Sequence, residues 1–264
     1  MQANGIITLT TDFGTRDIFV GVLKGVILQI HPRATIVDIT HDLPPHDIRA
    51  ASFLIHAASR HFPPGSVHLV VVDPGVGSDR QAIAVAARDH FFVAPDNGVL
   101  SDVIATESRI EAVAIDAVKF GRHPLSNTFH GRDLFAPVAA RLANGFPLRY
   151  LGAQLGAPLR IPGTNPEIVQ DRIRGQVQWI DRFGNAITNI DRGTFEAGCG
   201  NCAYTICVGA LRLTGLSDRY CRCQPGEPLA IFNSFDLLEI AAYHDSAAEI
   251  FAIRSGSAIE IQLQ

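Results

Sequence analysis

Several familiar signatures are missing from this 264-residue chain, and each absence removes a class of protein. Charge is sparse: 22 Lys and Arg against 26 Asp and Glu make 18% of the residues and a net charge of −4. Without a basic excess there is no electrostatic footprint for nucleic acid or an anionic membrane. No apolar run approaches the roughly 20 residues that a bilayer-spanning helix needs. The opening residues Met1 to Gly5 show no basic stretch followed by an apolar one, so no secretory leader is expected and the cytoplasm is the expected location. Cysteine does not occur before Cys199, and only Cys202, Cys207, Cys221 and Cys223 follow. An odd count without an export signal argues against a disulfide framework. There is no phosphate loop. Gly75-Val76-Gly77 lacks the third glycine of a dinucleotide fingerprint, because that place is Arg80. Asp12-Phe13-Gly14 stands without the rest of the kinase set. Internal repeats and low-complexity tracts are also missing.

What is present is apolar and segmented. At 47% apolar residues the chain can bury a sizeable core. The organising stretch is Val70-Val71-Val72-Asp73-Pro74-Gly75-Val76-Gly77-Ser78-Asp79-Arg80. Its β-branched run reads as a strand buried on both faces. The strand stops in an Asp-Pro-Gly turn, which is sound turn chemistry in its own right. It is also the place where open α/β sheets bind ligands, outside the carboxyl ends of their strands.

Other strand ends in the first half finish in the same way. Ile6 to Thr11 reads as a strand ending at Asp12, followed by Asp17 and a helical pattern of Ile18, Val22, Val26 and Ile30 stopped by Pro32. Ala34 to Ile39 is a second strand, and Asp47 is the expected cap of an alanine-rich helix. Gln81 to Ala87 and Phe91 to Ala94 read as two strands joined through Arg88-Asp89. A further turn, Pro95-Asp96-Asn97-Gly98, and a helix after His130 complete the alternation. The pattern predicts an α/β domain over residues 1–155 with a mostly parallel, doubly wound sheet. Gly156, Pro158, Pro162, Gly163 and Pro166 suggest a linker over 156–168. Short alternating segments then predict a smaller all-β, barrel-like domain over 169–264.

Metal readings are weak. His41, Asp42, His46, Asp73, Asp96 and His130 match no spacing of a metal hydrolase, and the expected metal is none. Cys199-Gly-Asn-Cys202 with Cys221-Arg-Cys223 is one residue short of a zinc knuckle. A set of reduced cysteines is the simpler reading.

Taken in order, the motifs resemble a known family. Thr11-Asp12-Phe13-Gly14 with Asp17, Thr40-His41 with Pro44-Pro45 and Asp47, Asp73-Pro74-Gly75-Val76-Gly77 with Arg80, and Pro95-Asp96-Asn97-Gly98 come first. Phe129-His130-Gly131-Arg132-Asp133, Asp181-Arg182-Phe183-Gly184-Asn185, Thr188-Asn189 and Asn233-Ser234 follow. Together they resemble the S-adenosyl-L-methionine (SAM) hydrolases, or SAM hydroxide adenosyltransferases, which are related to the SAM-dependent fluorinases and chlorinases. The resemblance implies a homotrimer, with each site between the N-terminal domain of one subunit and the C-terminal domain of the next. It implies hydrolysis of SAM to adenosine and L-methionine by attack of activated water on the ribose 5′ carbon. SAM is then the substrate and no cofactor is expected.

The resemblance also assigns roles. Asp73, Arg80 and His130 surround the attacking water. Asp12 holds the ribose hydroxyls, Asp17 and Asp181 meet the methionine ammonium, Phe183 lies on the adenine, Asn185 binds its edge and Ser234 approaches the carboxylate. Halogenases bind halide through a serine where this chain has Gly131, which favours hydrolysis over a halogenase-type transfer. Phe235 replaces the arginine with which halogenases hold the carboxylate. The chemistry suits the residues. Bulk water has a pKa near ~15.7 and needs activation; His130 is expected to accept a proton, Asp73 to orient it or hold the water, and Arg80 to stabilise negative charge. A non-catalytic SAM or adenosine sensor would share the same pocket.

Overall fold

The computed structural model describes residues 1–105, 107, 109–163, 165–200 and 202–264. Thr164, within the expected linker, and Asn201, between Cys199 and Cys202, lie outside the described residues. The chain divides into two compact units, Met1–Ile161 and Pro162–Gln264.

The first unit contains strands β1 (Ile6–Thr11), β2 (Thr35–Thr40), β3 (Val67–Val71), β4 (Ala82–Ala87), β5 (His90–Pro95), β6 (Glu111–Ile115) and β7 (Gly152–Gln154). Its helices are α1 (Phe19–Ile30), α2 (Ile48–Ser59), α3 (Ser101–Ala105), α4 (Ala117–Phe120) and α5 (Ala136–Ala143). The strands form one sheet in the order β2-β1-β3-β5-β4-β6-β7. Ile7, Leu9, Val67, Leu69 and Val71 share a core with Leu23, Val26 and Ile27 of α1 and Val138, Ala139 and Leu142 of α5. Thr8 and His68 point to the other face, where the His68 ring meets Phe62, just past α2, at 5.6 Å. Helices therefore cover both faces, and β1 and β3 have no watery side.

The sheet is mixed, which corrects the expectation of a mostly parallel one. Pairs β1–β2, β1–β3 and β3–β5 are parallel, whereas β4–β5, β4–β6 and β6–β7 are antiparallel. The cause is local. Arg88 and Asp89 have φ of 53° and 61°, the double left-handed geometry of a two-residue hairpin turn, which reverses the chain. Helix α2 starts where Asp47 accepts a hydrogen bond from the Ala50 amide at 2.9 Å.

The second unit is all antiparallel. It contains β8 (Glu167–Val169), β9 (Arg172–Ile180), β10 (Ala186–Asp191), α6 (Arg192–Cys199), β11 (Tyr204–Val208), β12 (Leu211–Leu213), β13 (Pro228–Phe232), β14 (Leu237–Ala242), α7 (Ala247–Ile250) and β15 (Ala258–Leu263). The order is β12-β11-β15-β9-β10-β14-β13, with β8 also on β9. The two ends of that order approach each other, and the Ser217 amide donates to the Ala230 carbonyl at 2.8 Å, so the sheet is nearly a barrel. Ile173, Val177, Ile190, Phe195, Ile206, Leu238, Ile240, Ile259 and Ile261 fill it.

Candidate active site

Three parallel neighbours, β2, β1 and β3, end along one edge of the first sheet, with Thr11 of β1 in register with Val71 of β3. The loops after them carry Asp12, the segment from His41 to His46, and Asp73. The fold thus delivers side chains distant in sequence to one place, as expected for strand ends in α/β sheets. Asp12, Phe13, Phe19, Pro45, His46, Val71, Asp73, Val76, Thr128, Phe129, His130 and Gly131 line a cavity of about 290 Å³.

Two local devices set the positions of Asp73, Arg80 and His130. Gly77 has φ +80°, and a Cβ there would lie 2.3 Å from the Asn127 carbonyl oxygen. Only glycine lets the loop after β3 press against the loop before His130. Gly131–Phe135 then forms a π-helical turn ahead of α5, the Ala136 amide bonding back to the Gly131 carbonyl. Pro137 has no N–H for the Asp133 carbonyl, which instead accepts from the Arg122 amide at 2.7 Å. Such turns concentrate at functional sites.

Asp73, Arg80 and His130 come together, with Arg80 in the middle. Arg80 Nε donates to Asp73 Oδ1 at 2.9 Å, and Nη2 donates to Asp73 Oδ2. The same Nη2 lies 2.8 Å from His130 Nδ1. The guanidinium also stacks over the Phe135 ring, 5.1 Å from its centroid. A guanidinium has donors only, so His130 Nδ1 must be the acceptor. Neutral His130 therefore carries its proton on Nε2. Burial first, and then the Arg80 charge, hold its pKa below the ordinary histidine value, with Asp73 and Asp133 opposing. The contacts run from Asp73 to Arg80 and from Arg80 to His130, so it is Arg80 that orients the imidazole. The basic nitrogen is already occupied, and Arg80 stands between the two residues. What His130 offers is a donor.

The remaining expected residues fall in different settings. Asp12 lines the cavity and one carboxylate oxygen accepts from the His46 amide at 2.9 Å. His46 takes φ +68° to make that contact. Asp17 is exposed and is not among the cavity's lining residues. In the second unit, Asp181 Oδ1 accepts from the amides of Phe183 and Asn185, both at 2.9 Å, and Oδ2 accepts from Asn185 Nδ2 at 3.0 Å. Asp181 and Asn185 thus shape one turn from which Phe183 projects, 76% exposed. Ser234 is exposed in the turn between β13 and β14. Asn233 Oδ1 templates that turn, accepting from the Phe235 amide at 2.9 Å, while Asn233 Nδ2 donates to the buried Glu239 at 3.1 Å. Glu239 also accepts from the Tyr220 hydroxyl at 2.7 Å, and burial pushes its carboxyl pKa up. Sequence reasoning missed Glu239 as a support and Phe19 as a cavity residue. A glutamate inside the apolar run Leu237 to Ala242 was the available signal for the first.

Among the described residues no group of three His, Cys, Asp or Glu side chains could hold a metal ion. Strand-end loops carrying a carboxylate, a guanidinium and an imidazole beside a half-open cavity are those of an α/β enzyme. The comparisons with known proteins make the class specific. Residues 7–152 match the SAM hydroxide adenosyltransferase N-terminal domain and residues 175–260 the SAM hydroxide adenosyltransferase C-terminal domain. The chain belongs to the SAM hydroxide adenosyltransferase family. An (R)-S-adenosyl-L-methionine hydrolase of Thermus thermophilus is 35% identical over 95% of this chain and 97% of its own. A fluorinase of Actinoplanes sp. is 32% identical over 76% of this chain and 77% of its own. The crystal structure of an uncharacterized conserved protein from Thermotoga maritima superposes with a TM-score of 0.90 at 37% identity, covering 97% and 99% of the two chains.

Proposed function

We propose that this protein hydrolyses SAM to adenosine and L-methionine, with water attacking the ribose 5′ carbon. The observation that carries the reading is the Asp73–Arg80–His130 cluster, whose Asp73 and His130 line the cavity together with Asp12 while Arg80 binds both from beside it. It agrees with the names of the relatives, which are (R)-SAM hydrolases at 33% to 35% identity over nearly the whole chain.

In this reading the nucleophile is a hydroxide held as an anion. Arg80 supplies a permanent positive charge and His130 supplies the Nε2–H, two preorganised donors aimed at one oxygen. Asp73 fixes the Arg80 fork through two hydrogen bonds, and its charge keeps the guanidinium in place when the cavity is empty. The water's proton passes to solvent before attack. The hydroxide's electron pair then forms the O–C5′ bond, and the C5′–S pair stays on sulfur, which departs as a neutral thioether. A leaving group of that kind needs no acid, so the remaining residues position the substrate. Asp12 holds the ribose diol. Asp17 and Asp181 meet the ammonium, Phe183 the adenine, Asn185 its edge, and Ser234 the carboxylate. The exposure of Phe183 and Ser234 supports these roles, since neither is consumed within its own unit. The reaction so written calls on SAM as substrate and on no cofactor or metal.

The proposal includes a homotrimer, which follows from the family resemblance, and a cytoplasmic location; sedimentation tests the first. It also treats residues 156–168 as a linker between domains 1–155 and 169–264, supported by the gap between the two matched segments. Product analysis tests the activity. Protein, SAM and excess chloride or fluoride should give adenosine and methionine. A 5′-halo-adenosine, or unconverted SAM, would overturn the reading.

A further inference from the structure

Phe13, Phe19 and Phe129 form one continuous wall of the cavity. Their ring centroids lie 5.8, 5.9 and 5.3 Å apart, and every pair meets edge to face. Phe19 opens α1 yet remains 41% exposed, beside Ile18 at 75%. A large ring left half open at a cavity mouth, rather than folded into the core, is surface available for a ligand. One of the three rings already carries a cation, the Arg132 guanidinium sitting over Phe129, 5.3 Å from its centroid. No protein cation lies over Phe13 or Phe19 among the described residues.

We propose that this phenylalanine wall is the subsite for the substrate's sulfonium, which it binds through the negative faces of the rings. The proposal rests on the hydrolase reading above. Its logic is charge. A sulfonium entering the cavity loses water and comes near the fixed positive charge of Arg80, which is bonded to the lining residues Asp73 and His130. In-line attack places the sulfur across C5′ from the oxygen held by Arg80 and His130, so sulfur lies on the side away from that pair. The cavity's carboxylates are committed: both oxygens of Asp73 to Arg80, and one of Asp12 to the His46 amide. Electron-rich aromatic faces supply the missing counterpart. They also release it. Hydroxide and sulfonium cancel when O–C5′ forms and C5′–S breaks, leaving neutral adenosine and a neutral thioether. The attraction therefore exists for the substrate and lapses for the products.

The test compares charged and neutral sulfur positions on the full-length protein. Steady-state hydrolysis gives KM for SAM. Competitive inhibition gives Ki for sinefungin, which carries an ammonium in place of the sulfonium, and for S-adenosylhomocysteine, which has a neutral thioether. For Phe19→Leu, KM for SAM and Ki for sinefungin should rise about tenfold, while Ki for S-adenosylhomocysteine stays within about twofold. Phe19→Tyr should restore the parent values, and Phe13→Leu should repeat the selective loss. Equal weakening of charged and neutral ligands in both leucine variants, or no weakening in either, overturns the proposal. A parent protein that forms no adenosine from SAM overturns the hydrolase reading and this proposal with it, a result distinct from an active parent whose variants fail to discriminate.

Discussion

Arg80 Nη2 lies 2.8 Å from His130 Nδ1, and because arginine cannot accept, the imidazole is fixed with its proton on Nε2. A residue that looks like a general base is, in this arrangement, a neutral imidazole whose other ring nitrogen is a donor.

The first prediction follows from that tautomer. His130→Gln keeps an N–H near the Nε2 position but has no basic nitrogen. It should retain turnover within about tenfold of the parent, whereas His130→Ala should lose roughly 10²- to 10³-fold, the usual cost of deleting a donor to a developing anion. Measuring kcat for both variants decides it. If glutamine is as inactive as alanine, the donor role is wrong and general-base catalysis, worth roughly 10²- to 10⁴-fold, takes its place.

Arg80 serves Asp73 and His130 with one rigid fork. Lysine keeps the charge and cannot reproduce that geometry. Arg80→Lys should lower kcat roughly 10²-fold with KM for SAM little changed. A lysine variant with parent kcat would show that charge alone suffices and that the fork has no catalytic part.

Gly77→Ala combines a left-handed backbone with a 2.3 Å approach to the Asn127 carbonyl. The loop after β3 must shift, so the variant should lose about 1–3 kcal/mol of stability and most of its kcat. Chemical denaturation and a turnover assay read both, and a Gly77→Ala protein that keeps parent stability and rate would remove the close approach from the account.

How much of this was legible in the sequence depends on the residue. The buried run before Asp73, the Asp47 cap and the Arg88-Asp89 turn are local chemistry, and local chemistry is written in adjacent residues. The pairing direction of a strand is not, which is why the turn was visible while the mixed sheet was not. Glu239 stands inside the apolar run of β14, and only the fold shows that it is buried and bonded to Tyr220 and Asn233. Arg80 lies 7 positions from Asp73 and 50 from His130, so motif order could bring them forward as a set. Which of them stands in the middle, and where the imidazole proton sits, emerges only from the folded contact. Phe19 carries no local signal, because its exposure at the cavity is a property of the packing around it.

Two buried histidines away from the cavity make the fold sensitive to acid. Burial, and then the neighbouring His90, push the His68 pKa down to about 3; burial, and then Arg88 and Arg60, push His56 down to about 4. Both are protonated more readily in the unfolded chain, whose value is near ~6.5. Their contribution is therefore intact above that pH and is lost as pH falls from there toward 4 and 3. At pH 5 the loss is about 2 kcal/mol for each. Denaturant midpoints measured between pH 7 and 5 should fall accordingly, and His68→Phe should flatten the slope. A midpoint independent of pH over that range would contradict the buried neutral assignment.

The central claim is that solvent oxygen, held at Arg80 and His130, becomes the 5′ oxygen of adenosine. Hydrolysis of SAM in water enriched in ¹⁸O, followed by mass spectrometry of both products, tests it most directly. The account predicts one labelled oxygen in adenosine and none in methionine; label in methionine, or unlabelled adenosine, would contradict it.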